Sequence, residues 1–168
     1  HNPRGFNLGK HRITISTAGI LPKIKQFIDE NQKYKLAISL NASNNEFREK
    51  IMPLNRKWNI EQIIKESKRF SLLKRREIMF EYVLMKGIND SSENAFELAT
   101  LLNGVDCKLN IIPYNESDGN YQRSTEKSLP GMGNNHRGVS LRICPSAGSS
   151  ASTPPAGSTA PRDKNSKI

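Results

Sequence analysis

The chain has 168 residues, enough for one domain with a substantial core, and its 26 Lys and Arg against 16 Asp and Glu give a formal net charge of +10. Such a charge suits a polyanionic partner such as nucleic acid, although solubility alone also tolerates it. Two cysteines, no apolar run near the roughly 20 residues of a membrane span and no visible signal peptide argue against a disulfide framework and a membrane protein, so we expect a cytoplasmic protein.

The first third of the chain alternates between strand and helix patterns. Residues 13–17 (ITIST) predict a short buried strand, and Gly19 then turns the chain. Residues 35–40 (KLAISL) predict a second apolar strand. Between the two strands a helix is predicted by apolar residues at helical spacing, which are Ile20, Ile24, Phe27 and Ile28.

Two helices are predicted before the next strand. A short helix over EFREKIM should stop near Pro53, because proline removes a backbone donor. Asn59 can cap a second helix, in which Ile60, Ile63 and Ile64 share a face. Residues 65–76 are dense in Lys and Arg, and together with Phe70 they can contact RNA phosphates or simply form a solvated face.

The last predicted strands frame one more helix. Residues 78–85 (IMFEYVLM) predict a third strand, and residues 108–113 (KLNIIP) predict a fourth. Asp90 or Ser91 can cap the helix between them, and Gly104 can end it. The apolar face of that helix is predicted to consist of Phe96, Leu98, Ala99, Leu101 and Leu102.

Four strand–helix units in series predict an α/β fold with a parallel sheet, either open or part of an incomplete barrel. The pattern ends near residue 129, because 17 of the last 40 residues are Gly, Pro or Ser. We therefore predict a core over 1–128 and an irregular, disordered tail over 129–168.

Small polar residues follow three of the four predicted strands. In parallel α/β folds, ligands bind at the carboxyl ends of the strands, so these side chains can hold the hydroxyl, amine and carboxylate groups of a small polar ligand. The alternative is that they cap helices and close turns. The residues are Ser16, Thr17, Ser39, Asn41, Ser43, Tyr114 and Asn115.

Four stretches, in this order and spacing, resemble the RlmN family of radical-SAM enzymes, which methylate adenine C2 in 23S rRNA and tRNA. The resemblance covers roughly residues 9–128, and the related Cfr family, which methylates adenine C8, is a less similar alternative. The stretches are HRITISTAGILPKI (11–24), LAISLNASNNEFREKIMPLNRKWNI (36–60), FEYVLMKGINDSSENAFELATLL (80–102) and CKLNIIPYN (107–115).

The resemblance implies the fold and the cofactors. It implies roughly strands 3–6 of an incomplete (βα)6 barrel that binds S-adenosylmethionine and a [4Fe–4S] cluster. It also implies that S-adenosylmethionine contacts five positions, of which Asn41 stands where many relatives carry His. These positions are Ser16, Ser39, Leu40, Asn41 and Asn115.

The resemblance also implies what this sequence does not contain. The CxxxCxxC loop that ligates the cluster would lie upstream of His1, and neither Cys107 nor Cys144 matches a catalytic cysteine of the family. We therefore predict no catalytic or metal-binding residue and no turnover by this chain alone. The expected partners of the parent enzyme are 23S rRNA, tRNA and an electron donor, and we expect a monomer without membrane contact.

The tail has a specific interpretation within this resemblance. Codons for the family motif Ile-Asp-Ala-Ala-Cys-Gly-Gln, read one base later, encode Ser-Thr-Pro-Pro-Ala-Gly-Ser, which is the sequence of residues 152–158. We therefore predict that the tail is a frame-shifted copy of the catalytic motif. The alternative function is a non-enzymatic RNA-binding module that reuses the barrel, for which the basic segment 65–76 is the supporting feature.

Overall fold

The computed structural model describes residue 9 and residues 12–74, 76–116, 121–124 and 139–143. The predicted boundary near residue 129, the frame-shifted stretch 152–158 and Cys144 lie outside these ranges. In the described ranges, no helix is both long and apolar enough to cross a membrane.

The described residues form a parallel α/β sheet of five strands, arranged in the same order as in the chain. The strands are β1 (Thr14–Thr17), β2 (Lys35–Ser39), β3 (Ile78–Leu84), β4 (Cys107–Pro113) and β5 (Val139–Ile143). The helices are α1 (Leu21–Asp29), α2 (Asn45–Ile51), α3 (Ile60–Lys74) and α4 (Ser92–Leu101), with a 3₁₀ turn at Pro53–Arg56. The α/β class, the parallel sheet and the positions of the four predicted strands are confirmed. The prediction that the first strand is buried is wrong, because β1 lies at the edge of the described sheet and Ile15 is 41% exposed.

The fifth strand is a feature that the sequence pattern did not predict. Val139–Ile143 pairs with β4 in parallel, with Cys107 opposite Val139. It lies inside the segment 129–168, for which no regular structure is predicted. The strand is a five-residue run (VSLRI) that includes β-forming residues. It was not predicted because the sequence on both sides is rich in Gly, Pro and Ser, which indicates irregular structure.

The two faces of the sheet differ in burial. In β3 the residues alternate, so that Phe80 and Tyr82 are buried while Met79, Glu81 and Val83 are half-buried. The buried face packs against the helices and forms the core, which includes Ile24, Ile28, Leu36, Ile38, Ile60, Ile63, Phe70, Leu98, Leu109 and Ile111. We call the opposite side, which carries Ser39, Met79, Glu81, Val83 and Asn110, the open face.

The helices begin where the sequence provides caps. The Asn59 side chain accepts a hydrogen bond from the Gln62 backbone, and the Gln62 side chain accepts one from the Asn59 backbone. Ser91 and Asn94 form the equivalent pair at the start of α4. Each pair satisfies backbone donors that the first helical turn leaves without partners, which explains why both predicted caps are found.

Two aromatic residues do not lie where the sequence placed them. Phe96 is 74% exposed, so its prediction as part of the apolar face of α4 is wrong, and that face instead uses Ala95 and Leu98. Phe70 is 1% exposed and packs against Phe27, with ring centroids 6.2 Å apart. Phe70 therefore cannot form part of an RNA-binding face on segment 65–76, and that interpretation loses its aromatic residue.

The turn after β1 requires a glycine. Gly19 has φ +105°, a conformation that residues with a side chain rarely adopt. A Cβ atom at this position would lie 2.7 Å from Ile63 Cδ1 and 2.9 Å from Arg48 Nη2. The backbone therefore passes so close to α2 and α3 that neither the conformation nor the space admits another residue.

We predict that Gly19→Ala lowers the free energy of unfolding by about 2–4 kcal/mol, because it adds backbone strain and a steric overlap. Gly87→Ala is the matched control, since Gly87 also has a positive φ but no atom within 4 Å of an added Cβ. That variant should lose only about 1 kcal/mol. Urea unfolding followed by circular dichroism measures both, and equal losses would show that the close approach at Gly19 does not matter.

Candidate cofactor-binding site

Two predicted site residues meet on the open face. The hydroxyl groups of Ser16 and Ser39 both donate hydrogen bonds to Glu81 Oε2, each over 3.3 Å. The strand register brings them together, since Ser39 pairs with Glu81, and Ser16 pairs with Ala37 two residues earlier in β2. The structure thus joins β1, β2 and β3 through one carboxylate, which lies in the middle of β3 and next to the carboxyl ends of β1 and β2.

A buried arginine fixes the ends of the first two strands. Arg48 is 0% exposed, and its Nη2 donates to the carbonyl oxygens of Ala18 (2.7 Å) and Ser39 (3.3 Å). Its Nε donates to the Leu40 carbonyl (3.0 Å), and its Nη1 donates to Asn55 Oδ1 (3.0 Å). Burial lowers the pKa of Arg48 to about 10, which still leaves the guanidinium charged at neutral pH.

Asn41 ties the end of β2 to β3. It has φ +60°, and its Oδ1 accepts a hydrogen bond from the Val83 backbone N–H over 3.0 Å. The Asn89 amide donates to the carbonyl oxygens of both Asn41 and Val83, each over 2.8 Å. A residue with a short amide side chain tolerates this left-handed conformation, so Asn41 shapes the loop at the carboxyl edge of the sheet.

Leu40 and Asn115 lie at the same edge in different environments. The Leu40 side chain is 0% exposed, and its backbone N–H donates to the Glu81 carbonyl over 2.9 Å. Leu40 therefore presents only backbone atoms to the edge. Asn115 is exposed just beyond β4, and within the described residues no hydrogen bond links its side chain to the two serines.

The described residues do not fit an iron–sulfur cluster. Within the described ranges, no group of three or more His, Cys, Asp or Glu side chains could hold a metal ion. Cys107 is buried, and burial raises the pKa of its thiol to about 12. The thiolate is the form that binds metal, so a cysteine whose thiol stays protonated is a poor ligand. Cys107 is therefore a core residue.

The polar side chains on the open face match the polar groups of S-adenosylmethionine in kind. Two hydroxyls and one carboxylate converge there, and the cofactor offers hydroxyl, ammonium and carboxylate groups that pair with such side chains. Asn41 and Arg48 hold the surrounding backbone in place.

Known proteins resemble this chain in both sequence and structure. The dual-specificity RNA methyltransferase RlmN of Nautilia profundicola is 43% identical over 129 residues, which cover 76% of this chain and 36% of that protein. The RlmN 2 enzyme of Myxococcus xanthus is 50% identical over 115 residues, which cover 68% of this chain and 30% of that protein. The chain thus spans about a third of the length of the curated relatives it matches. No protein-family model matches it.

A solved structure supports the same relationship. The crystal structure of a radical SAM methyltransferase from Sphaerobacter thermophilus aligns with a TM-score of 0.73 and 35% identity, covering 85% of this chain and 43% of that one. The fold is therefore that of part of a radical SAM methyltransferase. Within that class, the sequence relatives are RlmN enzymes, and this chain corresponds in sequence to about a third of an RlmN-family protein.

Sequence reasoning missed two residues that organise the site. Glu81 is the one acid within β3 (IMFEYVL), and a charge in an apolar strand was a detectable signal. Arg48 lies among Glu46, Glu49 and Lys50, and that pattern is typical of a solvated helix face. Only the structure shows that its side chain turns inward.

We predict that Arg48→Ala lowers the free energy of unfolding by about 3–5 kcal/mol, because it removes a buried side chain and the donors to the carbonyl oxygens of Ala18, Ser39 and Leu40. Arg48→Lys should lose less, since it keeps the charge but not the planar set of donors. Lys50→Ala is the control in the same helix; its exposed pair with Glu46 predicts a change of about 0.5 kcal/mol or less. Denaturant titration measures all three, and a stable Arg48→Ala variant would contradict the assigned role.

Proposed function

We propose that the chain is the S-adenosylmethionine-binding part of an enzyme that methylates adenine C2 in 23S rRNA and tRNA. The observation that carries the proposal is the convergence of Ser16 and Ser39 on the open face, in a chain related to RlmN enzymes. S-adenosylmethionine supplies the methyl group when bound. In this proposal the residues of the chain orient that cofactor, and the cluster and the catalytic cysteines come from sequence that this chain does not contain.

Each predicted site residue has a role in this proposal. Ser16 and Ser39 hydrogen-bond polar groups of S-adenosylmethionine, and Leu40 offers backbone atoms. Asn41 keeps the loop in its left-handed turn, and exposed Asn115 closes the site from the end of β4. The proposal includes a cytoplasmic monomer, with an external electron donor in the complete enzyme.

A chimeric enzyme tests the proposal. The matching 115 residues of the Myxococcus xanthus relative are replaced by those of this chain, and the product is expressed in a strain that lacks its own adenine C2 methyltransferase. We expect methylation at adenine C2, because the segment supplies Ser16, Ser39 and the loop around Asn41 to the proposed cofactor site. Mass spectrometry of nucleosides from 23S rRNA and tRNA measures the product.

Variants of the chimera locate the effect. Ser39→Ala should reduce methylation several-fold, since it removes one hydrogen bond near the cofactor. Thr100→Ala is the control, because the Thr100 hydroxyl bonds only to the Phe96 carbonyl in its own helix. Methylation at C8 would favour the Cfr-type alternative, and a folded chimera without any product would refute the proposal.

A second candidate function is a non-enzymatic RNA-binding module. A cavity of about 180 Å³ at the amino ends of the strands has four cationic residues in its lining: Lys33, Lys35, Arg76 and Lys108. Cations around an opening can bind phosphates, and such binding weakens steeply with salt. A salt-dependent gel shift of RNA by the chain, lost in Lys33→Ala/Lys35→Ala, would support this function over the enzymatic one if the chimera is inactive.

A further inference from the structure

Glu81 occupies a central position on the open face. It lies in the middle of β3, in register with Ser39 of β2 and Asn110 of β4. Its neighbours Phe80 and Tyr82 point into the core, whereas Glu81 is half-buried on the other side. A carboxylate at this depth loses part of its hydration, so it requires hydrogen-bond donors.

The described donors satisfy this carboxylate only partly. Ser16 and Ser39 use the same oxygen, Oε2, and both distances are 3.3 Å, which is long for a hydroxyl–carboxylate hydrogen bond. In the described ranges, no ion pair includes Glu81. The second oxygen, Oε1, is used by neither serine.

Glu97 shows what a structurally satisfied carboxylate looks like in the same chain. Its Oε2 accepts hydrogen bonds from the Ser43 hydroxyl over 2.6 Å and from the Asn44 amide over 2.9 Å. These bonds lower the pKa of Glu97. Both acids accept hydrogen bonds from serine hydroxyls: Glu97 from Ser43, which follows β2, and Glu81 from Ser16 in β1 and Ser39 at the end of β2. Only the bonds to Glu81 are long, and they lie on the open face.

We propose that Glu81 binds the ribose of S-adenosylmethionine, accepting hydrogen bonds from its 2′- and 3′-hydroxyls. The inference rests on the proposed function, since it assumes that this cofactor binds the open face. A carboxylate has two oxygens that can accept from two adjacent hydroxyls, and such charge-assisted bonds are stronger than neutral ones. The serine hydroxyls, oriented by Glu81, keep lone pairs that accept further donors from the ligand.

Equilibrium binding to the full 168-residue chain tests the inference. Isothermal titration measures S-adenosylmethionine, S-adenosylhomocysteine (which lacks the sulfonium charge), adenosine, 2′-deoxyadenosine and 3′-deoxyadenosine. We expect Glu81→Gln to weaken the first three ligands about tenfold or more, because each loses a charged acceptor for its diol. The same substitution should change the binding of the two deoxynucleosides much less, since each lacks one of the hydroxyls.

The controls separate folding from binding. Glu97→Gln should bind every ligand as the wild type does, and Glu81→Asp should recover part of the lost affinity because it keeps the charge. Thermal unfolding identifies any variant that is not folded. If Glu81→Gln is not folded, the binding of diol and deoxy ligands is compared between the wild type and Glu81→Asp.

Each remaining outcome has a distinct meaning. A wild-type chain that binds no S-adenosylmethionine overturns the proposed cofactor site and this inference together. A wild-type chain that binds it, with Glu81→Gln unchanged, overturns only the role of Glu81. A loss of affinity confined to S-adenosylmethionine shows that the carboxylate attracts the sulfonium charge, and this also refutes ribose binding.

Discussion

The hydrogen bonds of one buried arginine, Arg48, fix the backbone around the candidate site. Arg48 has no carboxylate partner among the described residues, and its charge is stabilised instead by three carbonyl oxygens and one side-chain amide oxygen. Burial of a charge is costly unless hydrogen bonds replace the lost water, and the lowered pKa of Arg48 reflects that cost. The three carbonyl contacts link the ends of β1 and β2, the strands that carry Ser16 and Ser39. Gly19 is part of this arrangement, because a side chain there would displace the guanidinium.

The regular part of the fold could be predicted because local sequence determines it. Apolar runs bounded by turn residues predicted β1 to β4, and Asn59 and Ser91 predicted two helix starts, since caps act within one turn. Phe96 was misplaced because its spacing fits the helical pattern, whereas α4 turns Ala95 and Leu98 to the core and leaves Phe96 exposed. β5 was missed because its run of β-forming residues is only five residues long and lies among Gly, Pro and Ser, so that the pairing with β4 is what identifies it as a strand.

The candidate site could be predicted only in part. The topology of a parallel sheet places strand ends together, so Ser16 and Ser39 could be chosen from their position alone. Glu81 and Arg48 could not be chosen in this way, because their roles depend on the register between strands and on a side chain that folds back under its own helix. Asn41 was predicted as a ligand contact. In the structure its side-chain oxygen accepts a hydrogen bond from the Val83 backbone N–H.

The order of the strands has a consequence for how the sheet can be built during synthesis. Each of β2 to β5 pairs with the strand that precedes it in the chain, so each finds a partner that has already been synthesised. The carbonyl groups that Arg48 binds belong to residues 18, 39 and 40, all of which leave the ribosome before Arg48 does. When helix α2 is synthesised, Arg48 can therefore bind the ends of two strands that are already present. Its last acceptor, Asn55 Oδ1, is synthesised seven residues later.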